Sequence, residues 1–357
     1  MPLRILHLDA GREWRGGQRQ VMLLANGLRE RGLEPLVVSP PNSPLIHRLH
    51  DRGIAASAIA MRSDWDIAAA RRLRTLIRTW RPDIVHAHDA RSHAVALLAL
   101  FRRPGIPLIV TRRVAFEPKS GRLKYGRRVR RFIAISHAVR DALERGGVEP
   151  SRVTVVYSGV PSPPDVAPRD WRSECGWPAD VVICGVAGAM TAEKGVHRLA
   201  EIAEALPADV RARARLLLLG GRRVGKDILG GVETFFAGFV DAVQPAMAGL
   251  DVLWHPSSSE GLGTVVIDAM ALRVPPVAFA VGGLVELIEP DRSGLLVPRD
   301  DIQQFAVAAA RLIGDATLRR QLGDAGPARA RAFDVGRMVN GTLGVYTDVL
   351  NGSTATE

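Results

Sequence analysis

The chain has two cysteines, Cys175 and Cys184, in 357 residues. That excludes a disulfide framework and a four-cysteine zinc site, and it points to a reduced, cytosolic setting. Long apolar stretches are missing too. The longest run, Ala94 to Phe101, has eight residues, against the ~20 that a membrane-spanning helix needs. The start, Met1-Pro-Leu-Arg-Ile-Leu-His7, has no apolar core ahead of a small-residue cleavage site, so no secretory leader is expected. Lysine is scarce. Lys119, Lys124, Lys194 and Lys226 are the only four among 48 basic residues, so a lysine in a glycine loop is not what composition would supply.

What is present is arginine, unevenly placed. Residues 1–160 carry 29 Lys and Arg against 13 Asp and Glu, while the remainder carries 19 against 24. Arg-rich solvated helix faces account for most of this excess. The rest points to an anionic partner of the first half. The densest run, Lys119 to Arg131, has seven basic residues in thirteen positions, with Tyr125 as its one aromatic. Nucleic-acid binding wants more stacking platforms, so no nucleic-acid partner is expected. A lipid headgroup surface suits the run better.

Apolar periodicity predicts strands and helices in alternation, twice over. In the first half the predicted strands are Arg4–Leu8, Pro35–Ser39, Asp83–His86, Pro107–Thr111, Phe132–Ile135 and Val153–Tyr157. The predicted helices are Gln18–Arg31, Leu45–Arg52, Ile67–Trp80, Ala94–Phe101 and one capped by Ser136 that runs to Arg145. A proline-rich stretch, Val160-Pro-Ser-Pro-Pro-Asp-Val-Ala-Pro168, then reads as a linker. The pattern restarts with strands at Val181–Val186, Arg215–Leu219, Asp251–His255, Pro276–Phe279 and Gly294–Val297. Helices are predicted at Gly195–Leu206, Thr264–Leu272, Ile302–Ile313 and Met338–Leu350. The fold class is therefore α/β, with two doubly wound, Rossmann-like domains facing across a cleft. The expected boundaries are 1–160, 161–335 and a C-terminal helix and tail, 336–357, that returns to the first domain. Residues 161–168 are the expected hinge for domain closure.

Four glycine loops follow strands. Gly11-Arg-Glu-Trp-Arg-Gly16-Gly17 misses the P-loop, because Gly17 stands where that motif has lysine, and it also misses G-x-G-x-x-G. It is either a plain tight turn or one that brings backbone N–H groups to a ligand anion. Gly188-Ala-Met-Thr-Ala-Glu-Lys194-Gly195 places an ammonium at a helix entry, which suits a diphosphate. Pro256-Ser-Ser-Ser-Glu260-Gly-Leu-Gly-Thr264 sets an acid in a glycine turn, with Asp268 eight residues on. Helix amides there suit phosphate oxygens and the acids suit sugar hydroxyls, although each acid alone could be a solvated helix position. Gly282-Gly283-Leu-Val-Glu286 is a fourth helix entry.

This set, with Ser293-Gly-Leu-Leu-Val297, resembles family 4 of the retaining nucleotide-sugar glycosyltransferases over nearly the whole chain. The resemblance implies the GT-B fold, a nucleotide-sugar donor, and no metal or cofactor. It implies that Lys194 binds the donor diphosphate and that Glu260 contacts the sugar hydroxyls. Gly188 and the backbone of Leu262, Gly263 and Thr264 would lie along sugar and phosphates, and Asp268 would hold the ribose. Gly16 and Gly17 would line the cleft near the diphosphate and the acceptor. His88 is counted with the catalytic residues. Three departures stand out. Ala189 replaces the arginine that many members carry, Asp268 replaces glutamate, and Arg112-Arg113 stands where many members have histidine. Arg113 is counted as catalytic and Arg112 as substrate-binding; the other reading is a surface pair at a strand end. His86 and His88 alone are too few for a metal site.

The expected acceptor is a lipid-linked or lipopolysaccharide-type cell-envelope glycan, met by a cytoplasmic protein at the inner face of a membrane. The alternatives are a catalytically impaired sugar-nucleotide-binding protein, or another enzyme of the same fold such as a nucleotide-sugar epimerase.

Overall fold

The structure, a computed structural model, describes residues 2–103, 105–118, 124–163 and 167–354, without the side chains of 353 and 354. Residues 119–123 of the basic run and 164–166 of the proline-rich linker lie outside the described residues. The chain forms two compact units, one of Met1–Gly159 with Val335–Glu357 and one of Val160–Asp334.

Unit 1 holds a seven-stranded sheet: β1 (Arg4–Leu8), β2 (Glu34–Ser39), β3 (Ala55–Ala58), β4 (Ile84–Ala87), β5 (Leu108–Arg112), β6 (Val129–Ala134) and β7 (Val153–Val155). Its order is β3-β2-β1-β4-β5-β6-β7, and every pairing is parallel. Crossover helices cover such a sheet on both faces, so its central strands are buried almost along their length, His7 and His86 included. Ile5, Ile84, Ile109 and Ile133 come from four adjacent strands. They pack with Leu24 and Leu28 of the Gly16–Glu30 helix and with Met338, Val339, Val345, Tyr346 and Val349. The last five belong to the Val335–Thr354 helix. Each such buried side chain contributes ~1.5–3 kcal/mol, so this C-terminal helix is part of the unit 1 core.

Unit 2 holds β8 (Val182–Ala187), β9 (Ala214–Leu219), β10 (Val224–Leu229), β11 (Val232–Gly238), β12 (Val252–His255), β13 (Pro276–Phe279) and β14 (Leu295–Val297). The order is β10-β11-β9-β8-β12-β13-β14. All pairings are parallel except β10 with β11.

Four departures from the predicted elements have a clear local cause. The hairpin β10–β11 had no predicted element. Its signal is Gly230-Gly231, both at positive φ, the tight turn that joins antiparallel strands. Strand β3 is Ala-Ala-Ser-Ala, with no branched residue to mark it. The helix expected from Ala94 starts at Ala90, because Asp89 and Ser92 form a capping box. The helix expected from Gly195 starts at Leu199 after two 3-10 turns. Gly195 has φ +72°, which cannot begin a right-handed helix. Among the described residues no helix is long and apolar enough to cross a membrane.

Candidate functional site

In unit 2 the polar loops leave the carboxyl ends of three neighbouring strands, β8, β12 and β13, where open α/β sheets bind ligands. The loop after β8 carries Gly188 and Lys194, the loop after β12 carries Glu260, and the loop after β13 carries Gly282 and Gly283. Backbone contact locks them together. Ser258 N–H donates to the Glu193 carbonyl at 3.0 Å, and Gly283 N–H to the Glu260 carbonyl at 3.2 Å. Two glycines permit the approach. A Cβ on Gly195 would stand 1.9 Å from the Pro256 carbonyl oxygen, and one on Gly282 1.8 Å from that of Glu260. Both also have positive φ.

This brings Lys194 onto Glu260. The Lys194 ammonium forms an ion pair with Glu260 Oε2, and His255 Nε2 lies 3.1 Å from the same oxygen. Ser257 Oγ lies 3.1 Å from His255 Nε2. The Glu260 side chain is 13% exposed and that of Lys194 29%. Burial alone would raise the Glu260 pKa. The His255 hydrogen bond and the Lys194 charge outweigh it and bring it down to about 2. Burial lowers His255 in turn, against the pull of Glu260. Glu260 is therefore an ionised hydrogen-bond acceptor at neutral pH and carries no proton to donate.

Leu262 is fully buried, and Gly263 is the N-cap of the Thr264–Ala271 helix, with no side-chain cap. Val266 N–H donates to the Gly263 carbonyl at 2.9 Å, and the helix entry ahead of it suits an anion. Asp268 is 4% exposed, which excludes a solvent-facing position. His255 and Ser257 were not picked out from the sequence. Their only signal is a polar residue at the end of a buried strand.

Unit 1 has its own polar cluster at the carboxyl ends of β1, β4 and β5. Gly16 and Gly17 open the Gly16–Glu30 helix, whose N-cap Arg15 offers no side-chain cap. Arg113 lies beside them: a Cβ on Gly17 would stand 3.8 Å from its Cδ, and its guanidinium donates to Ser158 Oγ at 3.2 Å. Burial lowers the Arg113 pKa to about 10, against the charges of Asp9 and Asp89. Arg112 turns elsewhere, donating to the Tyr125 hydroxyl at 3.0 Å and to the Phe116 carbonyl. The structure thus separates the two arginines, and only Arg113 stands by the glycine loop.

His88 is 3% exposed, and its Nε2 is hydrogen-bonded to Nδ1 of His7 at 2.9 Å. It is buried just beyond the end of β4, where its backbone N–H donates to the Leu8 carbonyl at 3.0 Å. His86 pairs with the Tyr346 hydroxyl and with Thr111, each at 2.7 Å. Ligand atoms of His7, His86 and His88 lie within 4.8 Å of one another, the one such grouping that could hold a metal ion among the described residues. His7 stands directly opposite His86 in the β1–β4 register, a neighbour that spacing along the chain does not reveal. Burial keeps all three well below the usual histidine range.

Asp9 lies just beyond β1, at the start of the first glycine loop. Its carboxylate accepts from Gly11 N–H at 2.8 Å and from Gln18 Nε2 at 3.0 Å. Burial, then the nearby Asp89, raises its pKa to about 6. The folded state therefore holds this proton more tightly than the unfolded chain does. Stability falls as pH rises from ~4 to ~6 and levels off above, by on the order of 3 kcal/mol. Asp9→Asn should remove that loss. In urea unfolding the variant should gain on wild type between pH 4.5 and 7; a constant difference would show that Asp9 titrates normally.

The family described as Glycosyltransferase Family 4 matches residues 14–162, and Glycosyl transferases group 1 matches residues 181–315. The 2-deoxystreptamine N-acetyl-D-glucosaminyltransferase of Streptomyces fradiae is 29% identical, over 86% of this chain and 84% of its own. The lipopolysaccharide core biosynthesis glycosyltransferase LpsE of Rhizobium meliloti is 24% identical, over 91% and 93%. The crystal structure of Anabaena Alr3699/HepE, in complex with UDP and glucose, superposes with a TM-score of 0.82 at 21% identity. It covers 97% of this chain and 100% of that one. This likeness shows the GT-B fold.

Proposed function

The chain belongs to glycosyltransferase family 4, and from that premise we propose that it moves a sugar from a nucleotide-sugar donor to a cell-envelope glycan acceptor, with retention at the anomeric carbon and without a metal ion. The observation that carries this reading is the Lys194–Glu260–His255 set at the ends of β8 and β12. Lys194 would meet the donor diphosphate, and Glu260, ionised at neutral pH, would accept from sugar hydroxyls. The first-turn amides at Gly263 and Thr264 would hold phosphate oxygens, and Asp268 would hold the ribose. On binding, the diphosphate takes over Lys194 from Glu260, which frees the carboxylate for the sugar.

A retaining transfer in which the acceptor hydroxyl enters on the face that the diphosphate leaves, passing its proton to the departing phosphate oxygen as the sugar–phosphate bond breaks, needs no protein nucleophile. It needs stabilised charge on the leaving group. Ala189 supplies none, and in unit 1 Arg113, half-buried beside Gly17, would face an anionic part of a substrate. Gly16 and Gly17 let that part approach the backbone.

The acceptor reading rests on the basic first half of the chain, and the R. meliloti relative is named for a lipopolysaccharide core. The S. fradiae relative is named for an aminocyclitol, and a small polyol acceptor is the second reading. The test uses UDP-glucose, UDP-N-acetylglucosamine and GDP-mannose with a detergent-dispersed lipopolysaccharide core and, separately, 2-deoxystreptamine. EDTA is present, and the product is read by NMR. All three donors are α-linked, so an α-linked product is expected; a β-linked product, or loss of activity with EDTA, contradicts the mechanism. Donor isomerised without an acceptor would indicate an epimerase. Arg113→Ala should lower turnover more than tenfold, and a value within twofold of wild type would remove Arg113 from the mechanism.

A further inference from the structure

Unit 1 carries an apolar groove lined by no residue of the glycine loops. It lies where the start of the Ile67–Trp80 helix meets the end of the Ala90–Ala99 helix. It has a volume of about 770 Å³. Trp65, Leu97, Leu98 and Phe101 line it, and Arg102, Arg103 and Arg128 belong to the same lining. Arg74 fixes the two helices together by donating to the Leu98 and Ala99 carbonyls at 2.9 and 3.0 Å.

The composition of this face is unusual for a surface in water. Trp65 is 75% exposed, Phe101 65% and the neighbouring Ile67 60%. Scattered apolar side chains are ordinary on a surface; a group of large ones around an open groove marks an interaction site. The cations are interleaved with the rings. Arg102 is exposed and stands 5.5 Å from the Phe101 ring. Arg128 donates to the carbonyls of Arg103 and Ile106, which fixes its charge in place. Lys124 is neutralised by Asp64 at 2.8 Å and adds nothing to the net charge. Aromatic rings with arginines among them match the boundary of a bilayer, where the rings sit at headgroup level and the guanidinium groups meet phosphates. Charge complementarity selects an anionic one.

We propose that this groove, with Trp65, Ile67 and Phe101 entering the headgroup region and Arg102, Arg103 and Arg128 on the phosphates, docks the protein on an anionic phospholipid bilayer. The inference rests on the reading of a membrane-borne acceptor and gives that reading a surface. Each arginine near an anionic membrane contributes ~fivefold to binding, and the apolar side chains add a part that does not depend on salt.

The full chain is sedimented with vesicles of phosphatidylcholine alone and with about 30% phosphatidylglycerol, at ~50 mM salt. Binding is expected only to the anionic vesicles. Trp65→Ser/Phe101→Ser and Arg102→Glu/Arg103→Glu should each weaken it more than tenfold. These side chains are exposed or half-buried, so the fold should survive. Arg222→Glu/Arg292→Glu, the same charge change on exposed residues of unit 2, should leave binding unchanged. Equal loss in all three variants, equal binding to both vesicles, or tighter binding to an oligonucleotide than to anionic vesicles would overturn the proposal. So would a wild-type dimer that Trp65→Ser/Phe101→Ser makes monomeric, since the face would then cover a second copy. UDP-glucose, UDP-N-acetylglucosamine and GDP-mannose binding is measured on the same samples without vesicles. Lost vesicle binding with donor binding intact removes this surface alone, and the reverse removes the transferase reading alone.

Discussion

Lys194→Ala should lower turnover by ~10²–10³, with the protein still folded. The diphosphate must leave with its charge stabilised by fixed groups, and losing one preorganised donor costs ~3–4 kcal/mol. Lys194 is a single ammonium held between Gly195 and Glu260. Its neighbours fix where the charge sits, because Gly195 lies against the Pro256 carbonyl. Lys194→Arg should recover little, since a planar fork does not replace a point charge in a site of that size. The structural cost is smaller than the catalytic one. The two side chains are 29% and 13% exposed, so solvent screens part of the pair and Glu260 keeps its His255 partner. The check is kcat beside a urea midpoint. A large fall in kcat with a small shift in midpoint is expected. A turnover within tenfold of wild type would mean that the arginines carry the leaving-group charge.

Glu260→Gln should be nearly as damaging, by a different route. The amide keeps the size of the side chain and loses the charge that accepts from sugar hydroxyls. It also leaves Lys194 without its anion in the free protein, which strips order from the loop. Donor binding should weaken by ~10²-fold, about 2.7 kcal/mol. The pH behaviour gives an independent sign. The Glu260 pKa lies at about 2 when folded, below the ordinary ~4.3. The carboxylate therefore contributes stability that is fully present above ~4.3 and is lost as pH falls toward 2. In acid unfolding, wild type should lose its advantage over Glu260→Gln in that window. An advantage that persists to pH 2 would show that Glu260 is not held ionised.

The repeated alternation of strands and helices, and hence the fold class, was legible from local signals. Ile67–Trp80 is bounded by Asp66, whose side chain caps Ala69 N–H. Ser136 caps Val139 N–H at 3.1 Å. The short buried strands announce themselves by branched residues. Signals failed where they were weak or long-range. The alanines of β3 have no β-branched pattern, and the Ala316–Ala330 helix contains Pro327, a breaker inside an otherwise helical stretch.

The candidate site divides in the same way. Lys194 and Glu260 sit in glycine loops that read as ligand loops. Their mutual pairing, 66 residues apart, is set by which strands are neighbours in the sheet. His255 joins them because β12 lies beside β8. Arg112 and Arg113 look equivalent along the chain. They diverge because successive residues at a strand end point to opposite sides, one to Tyr125 and one toward Gly17. Asp9 and Gln18 meet through the fold of the first loop, and nothing in Gly11–Gly17 alone marks that bond.

The measurement that bears most directly on the transferase reading is calorimetric binding of UDP-glucose, UDP-N-acetylglucosamine, GDP-mannose and the bare nucleotides to the purified protein, with Glu260→Gln alongside. Binding of one sugar nucleotide more tightly than its bare nucleotide, with that difference lost in Glu260→Gln, is the expected result. If a folded wild-type protein binds none of them, or binds the nucleotide alone equally well in both proteins, Glu260 does not hold a donor sugar and the proposed function is wrong.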